Sequence, residues 1–91
     1  MTMNLTIKEW FQEKIAREMN TKVYTFDIVA VSKQTEKAFY ATMIYRTQSN
    51  GSMHQKTMWI PKSVCEGTET RFVDTYEEAA EIAKSEIAMV A

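Results

Sequence analysis

The stretch from Val23 to Pro61 restricts the fold more than any other part of the chain. Val23–Ser32 and Ala38–Thr47 are dense in β-branched and aromatic residues, which suit a pleated, half-buried surface. A third segment of this kind, Met53–Ile60, ends at Pro61, whose nitrogen has no hydrogen to give a ladder. Between the second and third lies Gln48-Ser49-Asn50-Gly51-Ser52, and Asn-Gly is the strongest short hairpin signal because both residues accept positive φ. Three successive strands with short turns predict an antiparallel meander.

The side-chain pattern predicts its register. A two-residue turn at Asn50-Gly51 places Tyr45 opposite Lys56, Met43 opposite Met58 and Ala41 opposite Ile60. A first turn centred on Gln34-Thr35 sets Ala30 against Phe39, Ile28 against Ala41, Phe26 against Met43 and Tyr24 against Tyr45. Both turns gather one apolar face from Tyr24, Phe26, Ile28, Ala30, Phe39, Ala41, Met43, Tyr45, Met58 and Ile60. A one-residue slip would scatter that set, so it is read as the core face. The opposite face, with Val29, Val31, Tyr40, Ile44, Arg46 and Trp59 among polar residues, carries more apolar area than a surface meant only for water.

Helices are predicted on both sides of the meander. Thr6 and Glu9 have capping-box spacing, and Leu5 with Trp10 has the spacing of a hydrophobic staple. Ile7, Trp10, Phe11, Ile15 and Met19 then repeat as one apolar stripe, and Asn20 is a suitable stop. Near the other end, Thr75 and Glu78 form a second capping box. They precede a stripe of mostly small residues: Tyr76, Ala79, Ala80, Ala83, Ile87 and Val90. Thr70–Val73 is read as a loop or a short fourth edge strand. The expected fold is therefore α+β in the order αβββα: two layers, a three-stranded antiparallel meander with both helices on one face, in a single domain over residues 1–91.

Size and composition narrow the function classes. A chain of 91 residues buries roughly 60–65% of its unfolded surface, enough for one sheet and its helices but not for a deep cofactor cavity, so no cofactor is expected. One cysteine, Cys65, excludes an internal disulfide framework. The start MTMNLTIKEWF lacks the basic and apolar regions of a signal peptide, and no segment is apolar enough to span a bilayer. The expectation is a cytoplasmic protein with no membrane partner. Charge is unevenly spread within a net of −1. Lys22, Lys33, Lys37, Arg46, Lys56 and Lys62 against Asp27 and Glu36 leave residues 21–65 at +4, whereas the acidic residues of 66–91 leave that part at −5.

Catalytic signals are sparse. His54, the only histidine, follows Gly51-Ser52-Met53, with Ser52 and Thr47 as its nearest hydroxyls and no carboxylate to orient it. Cys65 has no second cysteine or nearby histidine to complete a metal site. The two glycines, Gly51 and Gly67, make no phosphate loop. Of the seven methionines, Met19, Met43 and Met58 fall on predicted core positions and Met1 and Met3 are terminal, which leaves Met53 and Met89, too few for an adaptable methionine-rich groove.

The segment TEKAFYATMIYRTQSNGSMHQKTMWIPKS resembles a hairpin of small proteins of phages and mobile elements of Gram-positive bacteria. Thr35-Glu36-Lys37-Ala38 and Trp59-Ile60-Pro61-Lys62-Ser63 carry the likeness. It implies a phage or mobile-element context and nothing catalytic. The element order is also similar to the double-stranded-RNA-binding domain, a family that reads RNA shape with basic residues at the start of its second helix. Tyr76-Glu77-Glu78 stands at that place here. Gly51-Ser52-Met53-His54 is similar to the Gly-Ser-His motif of HicA-type toxin ribonucleases, with one residue more and at a hairpin tip.

The leading expectation is a non-enzymatic protein that binds a host or phage protein, or itself, through Trp59, Tyr40, Ile44, Arg46 and Val29, with an acidic second helix as a further surface. Aromatic and arginine side chains on a firm sheet are the composition of contact hot spots. A plainer reading is that a chain end or residues 61–73 cover this face. A nucleic-acid module using Arg46, Lys56 and Lys62 is the next alternative, and a HicA-like ribonuclease the last.

Overall fold

The structure is a computed structural model and describes residues 5–67 and 70–90. The remaining positions, and the Val90 side chain of the predicted stripe, lie outside the described residues. The order is β1 (Thr6–Ile7), α1 (Glu9–Glu18), β2 (Val23–Gln34), β3 (Ala38–Thr47), β4 (Met53–Pro61), a 3-10 turn (Lys62–Val64), β5 (Cys65–Glu66) and α2 (Tyr76–Val90). Strands β2, β3 and β4 form the expected antiparallel meander, and β1 pairs with β5 as a separate ribbon. The α+β class stands.

The layering differs from the one-sided expectation. Phe11 and Ile15 of α1 pack with Phe26, Ile28, Met43 and Ile60 in one cluster. Ala83 of α2 packs on Val29 and Ile44 in another. Alternation along β3 sends Met43 and Ile44 to opposite faces, so the helices lie on opposite sides of the sheet. The small stripe explains why α2 can do this: Ala79 and Ala83 are fully buried and let the helix backbone lie close on the strands. Burial of Phe11 and Ile15 contributes about 1.5–3 kcal/mol each.

Bulges in β2 redistribute its side chains. Its register against β3 shifts between Val23 and Phe26, between Ile28 and Ala30, and between Val31 and Lys33. Each extra residue turns the following side chain to the other face. Tyr24, expected in the core, is consequently exposed. Ala30 pairs with Thr42, away from the α1 core, while Val31, expected on the opposite face, enters the α1 core opposite Ala41. The second hairpin also departs from expectation, since its loop is longer than two residues. Thr47 N–H donates to the Ser52 carbonyl, Gly51 N–H to the Thr47 carbonyl, and the Asn50 Oδ1 accepts from Thr47 Oγ1 and Ser52 N–H. Gly51 takes φ +72°, as such a turn requires. Tyr45 therefore faces His54, Met43 faces Lys56, Ala41 faces Met58 and Phe39 faces Ile60. The slip is two residues, so every side chain keeps its face.

The helix ends are split. Thr75 Oγ1 accepts from Glu78 N–H at 3.1 Å, as the second capping box predicts. The first box does not form. Thr6 lies in β1 and donates to the Glu66 carbonyl, and α1 starts after Lys8 with no side-chain cap. Leu5 enters the core while Trp10 stays exposed, edge-on to Phe11. At the other end Asn20 has φ +54°, and Asn20 and Thr21 N–H groups reach the Arg17 and Ala16 carbonyls, a Schellman closure. The predicted fourth edge strand reduces to one parallel bridge, Val31 with Phe72.

Gln12 ties α1 to the sheet. Its Nε2 donates to the Ile7 carbonyl at 2.7 Å and its Oε1 accepts from Phe26 N–H at 2.9 Å. Replacement Gln12→Leu strands both backbone groups in a half-buried place, and urea denaturation should show a loss of about 1–2 kcal/mol.

Candidate protein-contact site

Tyr40 and Trp59 meet because β3 and β4 pair them directly. Backbone bonds bracket the ladder at both ends, Thr47 to Ser52 and Lys62 to Lys37. Alternation between them makes Tyr40–Trp59 a non-hydrogen-bonded pair, the kind that brings side chains closest. The rings lie 5.0 Å apart and inclined at 44°. Trp59 is 46% exposed and Tyr40 half-buried. Lys33, the β2 partner of Tyr40, stands in the same row and is exposed. This corner lies on the α2 face but beyond the Val29–Ile44–Ala83 contact, so the helix covers only part of that face.

The structure does not assemble the full expected set. Val29 and Ile44 are buried beneath α2, a correction to their placement on a contact surface: the small side chains of α2 fill that position. Arg46 is half-buried and donates from Nη1 to the Gly51 carbonyl at 2.7 Å, holding the turn. Met53 packs against the α2 cluster, while Met89 is exposed. Val29 and Ile44 are thus covered, but by α2, which was expected on the other face, and Trp59 stays outside that cover.

The basic residues do not converge. Lys56 pairs with Met43 on the α1 face, whereas Arg46 pairs with Met53 on the α2 face. Lys62 lies at the opposite end of the sheet from the Arg46 turn, its Nζ 2.9 Å from Gln34 Oε1 and 4.9 Å from the Phe39 ring centre.

His54 stacks on Tyr45 at 5.5 Å, and Tyr45 leans on Phe26 at 5.1 Å. This three-ring row crosses all strands on the α1 face and was illegible from a two-residue turn, which put Thr47 at His54. Cys65 packs against the α1 core and donates from Sγ to the Pro61 carbonyl. Burial pushes its thiol above the ordinary value, which keeps it protonated and weakly nucleophilic at neutral pH. Among the described residues no three His, Cys, Asp or Glu side chains gather as a metal site, and no helix is long and apolar enough to cross a membrane.

A feature that sequence reasoning missed is an open groove of about 450 Å3 beside the Arg46 turn, lined by Tyr24, Asp27, Ile44, Arg46 and Met53. Desolvation pushes the Asp27 carboxyl above its usual range, partly offset by a hydrogen bond from Thr25. The folded state then holds the Asp27 proton more tightly than the unfolded chain, so this group's contribution falls as pH rises through its folded pKa. Melting curves of Asp27→Asn and the parent should coincide below about pH 4, with the variant melting higher at neutral pH. Comparison with protein-family models, curated proteins and solved structures finds no match to this chain.

Proposed function

We propose that this protein acts by binding another protein through the Trp59–Tyr40 corner of its sheet, as an inhibitor, modulator or self-associating factor of a phage or mobile element, and not by catalysis. The observation that carries this reading is a half-exposed indole in tilted contact with a tyrosine and mounted on a regular strand pair. Such a group is already ordered, so it loses little side-chain entropy on contact, and tryptophan and tyrosine dominate contact hot spots. Glu77, Glu78 and Glu81 of α2 are exposed and favour a partner with basic groups at the rim.

Two alternatives gain less. A nucleic-acid groove needs neighbouring cations along one track, and Arg46, Lys56 and Lys62 are divided between two faces and two ends. A nuclease built on His54 needs a free, oriented imidazole, and the ring is stacked on Tyr45 instead.

Tagged parent protein, Trp59→Ala and Tyr40→Ala should be compared in pull-downs from host cells, with and without nuclease, and against purified partner once it is identified. Each substitution should weaken the protein contact about thirtyfold while leaving the circular-dichroism spectrum unchanged. Equal retention by parent and variants would sink the reading, and binding that disappears with nuclease would favour the nucleic-acid alternative.

A further inference from the structure

The two edges of the sheet are treated differently. On β2 three outward backbone groups are occupied: Phe26 N–H by Gln12 Oε1, Val31 N–H by the Arg71 carbonyl, and the Val31 carbonyl by Val73 N–H. On β4 they are open from Met53 to Trp59. The ladder bonds at Thr47–Ser52 and Lys37–Lys62 fix which β4 residues turn their backbone inward. By alternation His54, Lys56, Met58 and Ile60 bond to β3, and Met53, Gln55, Thr57 and Trp59 direct N–H and C=O outward. Among the described residues no hydrogen bond reaches those outward amides. Gln55 and Trp59 are exposed, and Met53 and Thr57 half-buried. A regular, unbulged strand edge of nine residues is a template for another strand.

We infer that this edge pairs antiparallel with β4 of a second copy, joining two three-stranded sheets into one of six. The inference rests on the protein-contact reading and names the partner for the edge beside Trp59. Self-complementarity selects the second copy and its register. With the two-fold axis at Thr57, Thr57 meets its counterpart, Gln55 meets Trp59, and Met53 meets Pro61. The outward amides of Gln55, Thr57 and Trp59 then each find an open carbonyl, and Pro61, which has no amide and whose carbonyl already accepts from Cys65 Sγ, closes the seam. Moving the axis to Lys56 would set two ammonium groups directly opposite, which is destabilising; the Thr57 register sets Lys56 against Met58. The partner's Gln55 then lies beside Trp59 and covers part of the indole. Each α2 packs on Val29, Ile44 and, on β4, Met53, and the two-fold axis at Thr57 sets the two Met53 positions, and with them the helix contacts, at opposite ends of the seam.

Amide hydrogen exchange on the unaltered protein, measured across a dilution series alongside sedimentation equilibrium, tests this directly. The amides of His54, Lys56, Met58 and Ile60 should be protected at every concentration. Those of Gln55, Thr57 and Trp59 should be protected only where the protein sediments as a dimer. Gln55→Pro removes an outward amide and no β3 bond, so it should weaken the dimer roughly thirtyfold, two bonds being lost per dimer. A monomer at all concentrations overturns the inference. A dimer whose outward amides exchange freely also overturns it while leaving the Trp59–Tyr40 contact standing, and protection induced only by an extended peptide of another protein would assign the edge to that partner instead.

Discussion

Burial of β3 on both faces is the constraint on which the rest of the structure depends. Ala41, Thr42, Met43 and Ile44 are all buried, so successive residues of one strand must each find a different apolar layer. Met43 and Ala41 meet α1 and its neighbours, and Ile44 meets α2. The one polar member, Thr42, is satisfied by Thr57 Oγ1 at 2.9 Å, which removes the penalty of a bare hydroxyl under a helix. A chain this short supplies two covers only if each helix uses a narrow stripe. The alanines of α2 and the Phe11–Ile15 pair of α1 are two solutions of different size.

The neighbouring strands adapt to that demand in different ways. β2 bulges, which lets Val29 serve the α2 face and Val31 the α1 face from nearby positions. As an edge strand β2 also turns backbone groups outward, and Gln12 and the Arg71–Val73 segment take up those of Phe26 and Val31. β4 stays regular, and regularity keeps its outer edge and its outward indole available. Edge and corner are thus by-products of where the covers stop.

Much of the local structure was legible in residues. The span of β3, the Pro61 stop, the Thr75 cap and the Asn20 closure follow from chemistry within a few positions. The Thr6–Glu9 box misled because Thr6 has a stronger use: it sits in a strand pair with Glu66, sixty residues away. Of the candidate site, the outward direction of Trp59, Tyr40 and Arg46 was readable, since parity survives a two-residue slip. Their fates were not. Arg46 is held by the turn carbonyl of Gly51, and Val29 and Ile44 differ from Tyr40 only in having α2 above them.

Alternation along a strand is a property of the pleat, so the sequence by itself determined which side chains of β3 and β4 share a face, where the three strands of the meander run, and that the class is α+β, whereas bulges reset the faces of β2. Pairing across strands and layering above them depend on loop length and on contacts between distant segments. Only the tertiary structure therefore decided that Trp59 lies against Tyr40 and not Thr42, that α2 takes the face opposite α1, and that this helix ends its cover short of the indole.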